Sequence, residues 1–314
     1  METAAEPVFI GIDVSKQKLD VAVLPSGEAF AVERNEKGLA ELCLRLTPLN
    51  PRIVALEATG GFETVVAAAL AAALLPAIIV NPAQIRSFAA VLGQKAKTDP
   101  LDAVVIARFA EAIKPEIRPL PDAGTQTLGD LMARRRQILA MLAAEKQRLG
   151  RAPAKLLRKS LERLIKALQK ELESLDGGID AAVKASPVWR ANEKLLISVP
   201  GVGPVISRTL LAEMPELGTL SPKKIASLAG VAPFTRQSGQ WRGKSFISGG
   251  RAPVRAALFM GAMVAAKYNP ILKTFYRRLV EAGKSKKIAI IAVARKLLTI
   301  LNAIVRDQKP WQPA

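Results

Sequence analysis

Hydrophobic and polar positions along the first eighty residues switch repeatedly between two periods. Residues 8–14 (Val-Phe-Ile-Gly-Ile-Asp-Val) are a mostly apolar run ending near an aspartate, which reads as a buried strand. Lys18–Leu24 alternates at period two, Pro25-Ser26-Gly27 supplies a turn, and Glu28–Arg34 alternates again, so two successive hairpins are predicted. A helical stretch follows from Gly38 to Arg45. Arg52–Glu57 is another buried strand that ends on an acid, Phe62–Leu75 an Ala/Leu helix, and Ala77–Val80 a short strand before Asn81-Pro82. The order β-β-β-α-β-α-β, followed by a helix, predicts an α/β domain with a mixed sheet.

Further along, the period becomes helical. Apolar residues at 128, 131, 138, 142 and 149 follow a heptad-like seam broken by Arg135 and Glu145, and residues 150–153 interrupt it. The seam resumes at Leu161, Ile165, Leu168, Leu172 and Leu175, and Asp176-Gly177-Gly178 is expected to stop the helix. A long antiparallel hairpin, an intermolecular coiled coil, and two amphipathic helices packed on their own domain all fit this pattern. From about residue 185 the chain reads as helical and basic, with a Gly/Ser-rich irregular stretch over 236–251 and a last helix near Ser285–Arg306. Three segments are therefore expected: 1–125, 126–184 and 185–314.

Charge separates these segments. Of 314 residues with a net charge of +19, residues 1–99 carry 9 Lys/Arg against 11 Asp/Glu, and the remainder 37 against 16. A near-neutral front joined to a strongly basic remainder points to chemistry in one part and a polyanion held by the other; nucleic acid is the default polyanion. The single cysteine, Cys43, excludes a disulfide framework and a cysteine zinc cluster. With no histidine, catalytic triads and imidazole acid/base schemes are excluded too. Any metal should sit mainly on carboxylates, which favours Mg²⁺ or Mn²⁺. The acidic Met-Glu-Thr-Ala-Ala-Glu start does not read as a signal peptide, and the run Val65–Val80 is too short for a span. A cytoplasmic protein without a membrane partner is expected.

Four acids stand out. Asp13 and Glu57 close predicted strands, where ligand sites of open α/β sheets lie. Asp99 and Asp102, in Lys-Thr-Asp-Pro-Leu-Asp-Ala, fall on one side of a helix start whose first turn suits Pro100. Together they could converge on two divalent ions and serve phosphoryl transfer. Taken singly, Asp99 also reads as a helix N-cap and Glu57 as a solvated turn residue. Gly-Ile-Asp-Val-Ser-Lys also resembles the opening of actin-like sugar kinases, but no second phosphate loop follows.

Two elements suit a nucleic-acid partner. Leu195–Gly203 leads through Pro200-Gly201-Val202-Gly203 into a second helix, like a helix-hairpin-helix whose turn at Gly201 and Gly203 offers backbone N–H groups to phosphate. An ordinary tight helix–helix connection is the alternative. Arg236, Arg242, Lys244, Arg251 and Arg255 interleave with Phe234, Trp241 and Phe246 in a Gly-rich stretch suited to backbone and unpaired bases.

These motifs resemble those of the DEDD-type insertion-sequence transposases. The markers are Gly11-Ile12-Asp13-Val14-Ser15-Lys16, Glu57-Ala58-Thr59-Gly60, Lys97-Thr98-Asp99-Pro100-Leu101-Asp102-Ala103, Pro200-Gly201-Val202-Gly203, Ala232-Pro233 through Ser238-Gly239, and Ala294-Arg295-Lys296. The resemblance implies a RuvC-like, RNase H-like α/β N-terminal domain, a coiled-coil middle, and a mainly α C-terminal domain. It implies that Asp13, Glu57, Asp99 and Asp102 bind metal, and that a serine, placed on Ser238 with Ser245 and Ser248 in the same stretch, attacks DNA to form a phosphoserine linkage. Also implied are donor and target DNA, a bridge RNA that chooses them by base pairing, and a homo-oligomer, dimeric or tetrameric on DNA, whose subunits share composite sites. The competing readings are a metal-dependent nuclease or junction resolvase without a covalent step, and a non-catalytic nucleic-acid-binding protein.

Overall fold

A computed structural model describes residues 6–93, 99–117, 122–235, 237–238, 241–243 and 245–312. The chain divides into two compact units, Met1–Leu120 and Pro121–Ala314.

The first unit follows the predicted order closely: β1 (Phe9–Val14), β2 (Lys18–Leu24), β3 (Ala29–Glu33), α1 (Glu36–Leu46), β4 (Ile53–Glu57), α2 (Phe62–Ala72), β5 (Ala77–Val80), α3 (Pro82–Val91) and α4 (Asp99–Ile113). The sheet runs β3-β2-β1-β4-β5, antiparallel through the two hairpins and parallel from β1 to β4 to β5. Because successive side chains alternate across a strand, the sheet feeds two cores. Ile10, Ile12, Val14, Val54 and Leu56 pack with Leu42, Leu46, Val66 and Leu70 of α1 and α2. Phe9, Ile53 and Ala55 pack on the other face with Ile85, Val105, Ile106 and Phe109 of α3 and α4. Contact at the centre of that second face is unusually close. A β-carbon on Gly11 would fall 2.2 Å from the Ala103 carbonyl oxygen and 2.3 Å from the Ala107 nitrogen. Gly11 and its cross-strand partner Ala22 thus form the shelf on which α4 rests.

The second unit is mainly helical: α5 (Ala123–Arg151), α6 (Lys155–Ala185), α7 (Pro187–Ile197), α8 (Pro204–Glu213) and α9 (Pro222–Leu228) precede four two-residue strands. These are β6 (Pro233–Phe234), β7 (Gln237–Ser238), β8 (Trp241–Arg242) and β9 (Phe246–Ile247), and α10 (Ala252–Tyr268), α11 (Pro270–Glu281) and α12 (Lys286–Asp307) complete it. The helices that the sequence reading set apart as 126–184 fall in this unit, because α5 packs on α8 and α6 on α7.

The two long helices pair within the chain. Ile138 and Leu142 of α5 meet Ile165 of α6, flanked by Leu149, Leu168, Leu172 and Leu175. Arg135, which broke the seam, makes a bidentate pair with Asp176 across it (2.5 and 3.2 Å). The expected stop at Asp176-Gly177-Gly178 does not occur; α6 continues to Ala185. Two helical glycines cost roughly 1 kcal/mol each relative to alanine. Beyond them Ile179 and Val183 are buried against Leu128 and Met132, and each buried aliphatic side chain is worth about 1.5–3 kcal/mol. Packing wins over propensity.

The α12 helix is apolar and long enough to cross a membrane by length and composition. Here it forms the centre of the second unit's core. Val293, Ala294, Leu297, Leu298, Leu301 and Ile304 are buried against α7, α9, α10 and α11. Its buried polar residue, Asn302, is satisfied: Oδ1 accepts from the Gly218 N–H (2.8 Å) and Nδ2 donates to the Leu220 carbonyl (2.9 Å).

Candidate active site

In the first unit the acids collect at one end of one sheet face. Asp13 and Glu57 lie on neighbouring parallel strands, each one residue past the Ile12–Leu56 pair. By alternation both belong to the face of Gly11, Phe9, Ile53 and Ala55, which α4 covers. Ala103 sits over Gly11, while the later residues Val105, Ile106, Phe109 and Ala110 share a cluster with Phe9 and Ile53 at the strand starts. The first turn of α4, which carries Asp102, therefore reaches toward the strand ends that bear Asp13 and Glu57. All three acids are half-buried. Asp99 opens the same helix, but its side chain lies outside the described residues. Among the described residues no three carboxylates close around a common point.

Local chemistry holds the frame in place. The β1–β2 turn is tied by Ser15, whose Oγ donates to the Lys18 carbonyl (2.8 Å) and accepts from the Lys18 N–H (3.1 Å). Arg34 Nε donates to the Ser15 and Lys16 carbonyls, and its guanidinium lies 4.7 Å from the Phe62 ring centre. The loop after Glu57 is folded by a residue the sequence reading did not single out. Buried Glu63 accepts from the Thr59 N–H (3.0 Å), the Thr59 hydroxyl (3.4 Å) and the Gly61 N–H (2.8 Å). Gly60 and Gly61, both at positive φ, allow that turn. An acid two residues past a glycine pair at a helix start was the available signal.

In the second unit the serine-bearing stretch is a small irregular platform. Ser238 is exposed on β7 and pairs with Trp241 of β8; Ser245 and Ser248, beside β9, are exposed as well. Phe234 and Phe246 face each other across β6 and β9 with ring centres 6.4 Å apart. The base of the platform is knotted by glycines. A β-carbon on Gly250 would fall 2.2 Å from the Gly230 nitrogen, and one on Gly230 2.2 Å from the Gly249 carbonyl oxygen.

The predicted phosphate-binding residues divide into several groups. Arg236 and Lys244 lie outside the described residues, as does the Arg242 side chain. Arg251 is turned inward: its guanidinium grips both Glu216 oxygens (2.5 and 2.7 Å) and donates to the Glu213 carbonyl (2.8 Å). Arg255 donates to the Gly249 carbonyl. Both therefore brace the platform. Gly201, at φ 107°, is pressed on α10, where a β-carbon would fall 2.6 Å from Ala265 Cβ. Gly203 caps α8 with open space before its α-carbon.

Residues 10–152 match the family model of the IS110-type DEDD transposases, and residues 193–277 match the model described as transposase, IS116/IS110/IS902 family. The chain is thus of the transposase class, enzymes that cut and rejoin DNA. More particularly, it belongs to the IS116/IS110/IS902 family. Relatives include the pilin gene-inverting proteins of Moraxella lacunata and Moraxella bovis, each 29% identical over 96% of this chain and 97% of theirs. A 43.6 kDa protein of the insertion element IS110 from Streptomyces coelicolor is 31% identical over 47% of this chain and 36% of its own length.

Proposed function

We propose that this transposase is a metal-dependent serine recombinase with an RNase H-like, RuvC-type first unit. Its acids Asp13, Glu57, Asp99 and Asp102 hold Mg²⁺ or Mn²⁺, and Ser238 is its nucleophile. The observation that carries the reading is the placement of Asp13 and Glu57 on adjacent strand ends, on the face that α4 covers with its Asp102-bearing turn toward them. An all-oxygen, carboxylate donor set fits a hard divalent cation. Two relatives that span nearly the whole chain are named for inverting a gene segment, which supports a cut-and-rejoin reaction over simple hydrolysis.

The bound ions supply Lewis-acid stabilisation of charge on the phosphoryl oxygens. The protein's own part is to hold four carboxylates on rigid strand and helix ends and to present an exposed hydroxyl. The Ser238 Oγ–P bond forms as one P–O bond to a sugar breaks. The departing sugar oxygen takes up a proton, and the serine proton passes to a base of the acid set, since the chain has no histidine. Rejoining is the reverse step with a new sugar hydroxyl as attacker. Donor and target DNA are paired by a bridge RNA, so no side chain has to read the target. Because acids and serine lie in different units, the working site can be assembled between subunits of a homo-oligomer.

The test is a denaturing gel for a covalent protein–DNA adduct. Wild type, Ser238→Ala and Asp102→Ala are incubated with donor and target DNA, Mg²⁺ and RNA from the element's flank. An adduct present in wild type and absent from both variants is expected. Cleavage without an adduct, unaffected by Ser238→Ala, would instead identify a water-using nuclease.

A further inference from the structure

The sheet face that carries Asp13 and Glu57 carries a further acid with no assigned role. Asp20 on β2 is the direct cross-strand partner of Asp13, so the two carboxylates leave the sheet side by side on the face beneath α4. Like charges directly opposite on antiparallel strands repel each other. Asp20 is also 5% exposed, and a carboxylate is costly to bury without full compensation. The compensation here is incomplete. Lys18 Nζ donates to Asp20 Oδ1 at 3.3 Å; Oδ2 lies 3.0 Å from the same ammonium but receives no hydrogen bond. Ala22, two residues on along β2 and on the same face, packs with Ala103 and Ala107 of α4.

A buried acid beside another acid, with a single ammonium to balance it, is rational where a cation is to be held. We infer that Asp20 is a positioning residue of the acid cluster, orienting Asp13 and adding negative charge for the divalent ion. The inference rests on the metal-site reading above. Residues behind metal ligands typically change metal affinity about 10–100-fold when mutated, and that is the size of effect expected here.

The test is Mn²⁺ titration of the full chain by electron paramagnetic resonance, with melting curves in the presence and absence of Mn²⁺. Wild type, Asp13→Asn, Asp20→Asn and Asp20→Ala are compared. Both Asp20 variants are expected to weaken Mn²⁺ binding about 10–100-fold, and to shrink the Mn²⁺-induced rise in Tm, while remaining folded without metal. They should also raise the Mg²⁺ concentration needed for half-maximal DNA cleavage. If Asp20→Asn does not fold, Asp20→Ala, which adds no new polar group, carries the measurement. Weakened binding in Asp13→Asn with wild-type affinity in the Asp20 variants overturns the inference and leaves the site reading standing. Wild-type affinity in all variants, Asp13→Asn included, overturns the site reading itself.

Discussion

The two units present their reactive groups in opposite ways. In the first, acids stand on the ends of buried strands and on a helix whose backbone is seated on Gly11. In the second, the candidate nucleophile stands on a two-residue strand in a platform that is exposed above and knotted below by Gly230, Gly250 and the Arg251–Glu216 pair. The difference fits what each proposed chemistry demands. Charge held at fixed positions needs a scaffold with few conformations. A hydroxyl proposed to attack DNA needs exposure, with rigidity only at its base.

The largest expected effect tests the first half of this contrast. Asp13→Asn should lower DNA cleavage at least about a hundredfold, since a metal supplies several kcal/mol of charge stabilisation; unaltered turnover would break the comparison. Gly11→Ala is next. Its new methyl meets the α4 backbone, and overpacking of this kind typically costs 1–3 kcal/mol, to be read by denaturant melting. It should also reduce cleavage, because α4 carries Asp102.

The Arg251→Ala change sharpens the second half. Loss of charge-assisted hydrogen bonds to Glu216 should cost about 1.5–3 kcal/mol of stability, yet leave the salt dependence of DNA affinity unchanged. A phosphate-contacting arginine would lower that slope by about one, so a fallen slope returns Arg251 to the DNA interface. A smaller effect is expected at the start of α5, where Asp122 accepts the Thr125 N–H at 2.7 Å. The backbone hydrogen bond from Thr125 is the main reason its carboxyl lies below the ordinary range. Asp122→Ala should cost about 1 kcal/mol. A depressed pKa stabilises the fold above the unfolded value of about 3.9 and loses that contribution as pH falls through the folded value. The difference in Tm between wild type and Asp122→Ala should therefore be full at pH 6 and shrink on acidification below about pH 4. The smallest effect has the opposite sign. Gly177→Ala and Gly178→Ala, where a β-carbon meets nothing within 4 Å, should each stabilise by roughly 0.5–1 kcal/mol.

Much of the first unit was legible without coordinates. Strands, hairpin turns and helix starts are local patterns spanning a few residues: the observed strands β1 to β5 fall within one residue of those predicted, and α2 ends three residues early. Asp13 and Glu57 were visible as acids ending mostly apolar strands, a costly placement that invites explanation, and Asp102 by its i, i+3 spacing from Asp99 at a helix start. Asp20 was not visible, because in Lys-Leu-Asp-Val-Ala-Val-Leu it looks like the solvated position of an alternating strand. Only the weight of α4 on that face buries it.

Period and turn chemistry, which act through near neighbours, determined from sequence alone the α/β order, the paired long helices as one of three options, and the acids at strand ends. The tertiary structure decided which partners distant residues find. It turned Arg251 toward Glu216, seated Gly201 on α10, carried α6 past two glycines, and packed α4, about eighty residues further on, against the strand that bears the buried Asp20. Each outcome depends on packing between segments far apart in the chain, an energy to which no local window of sequence has access.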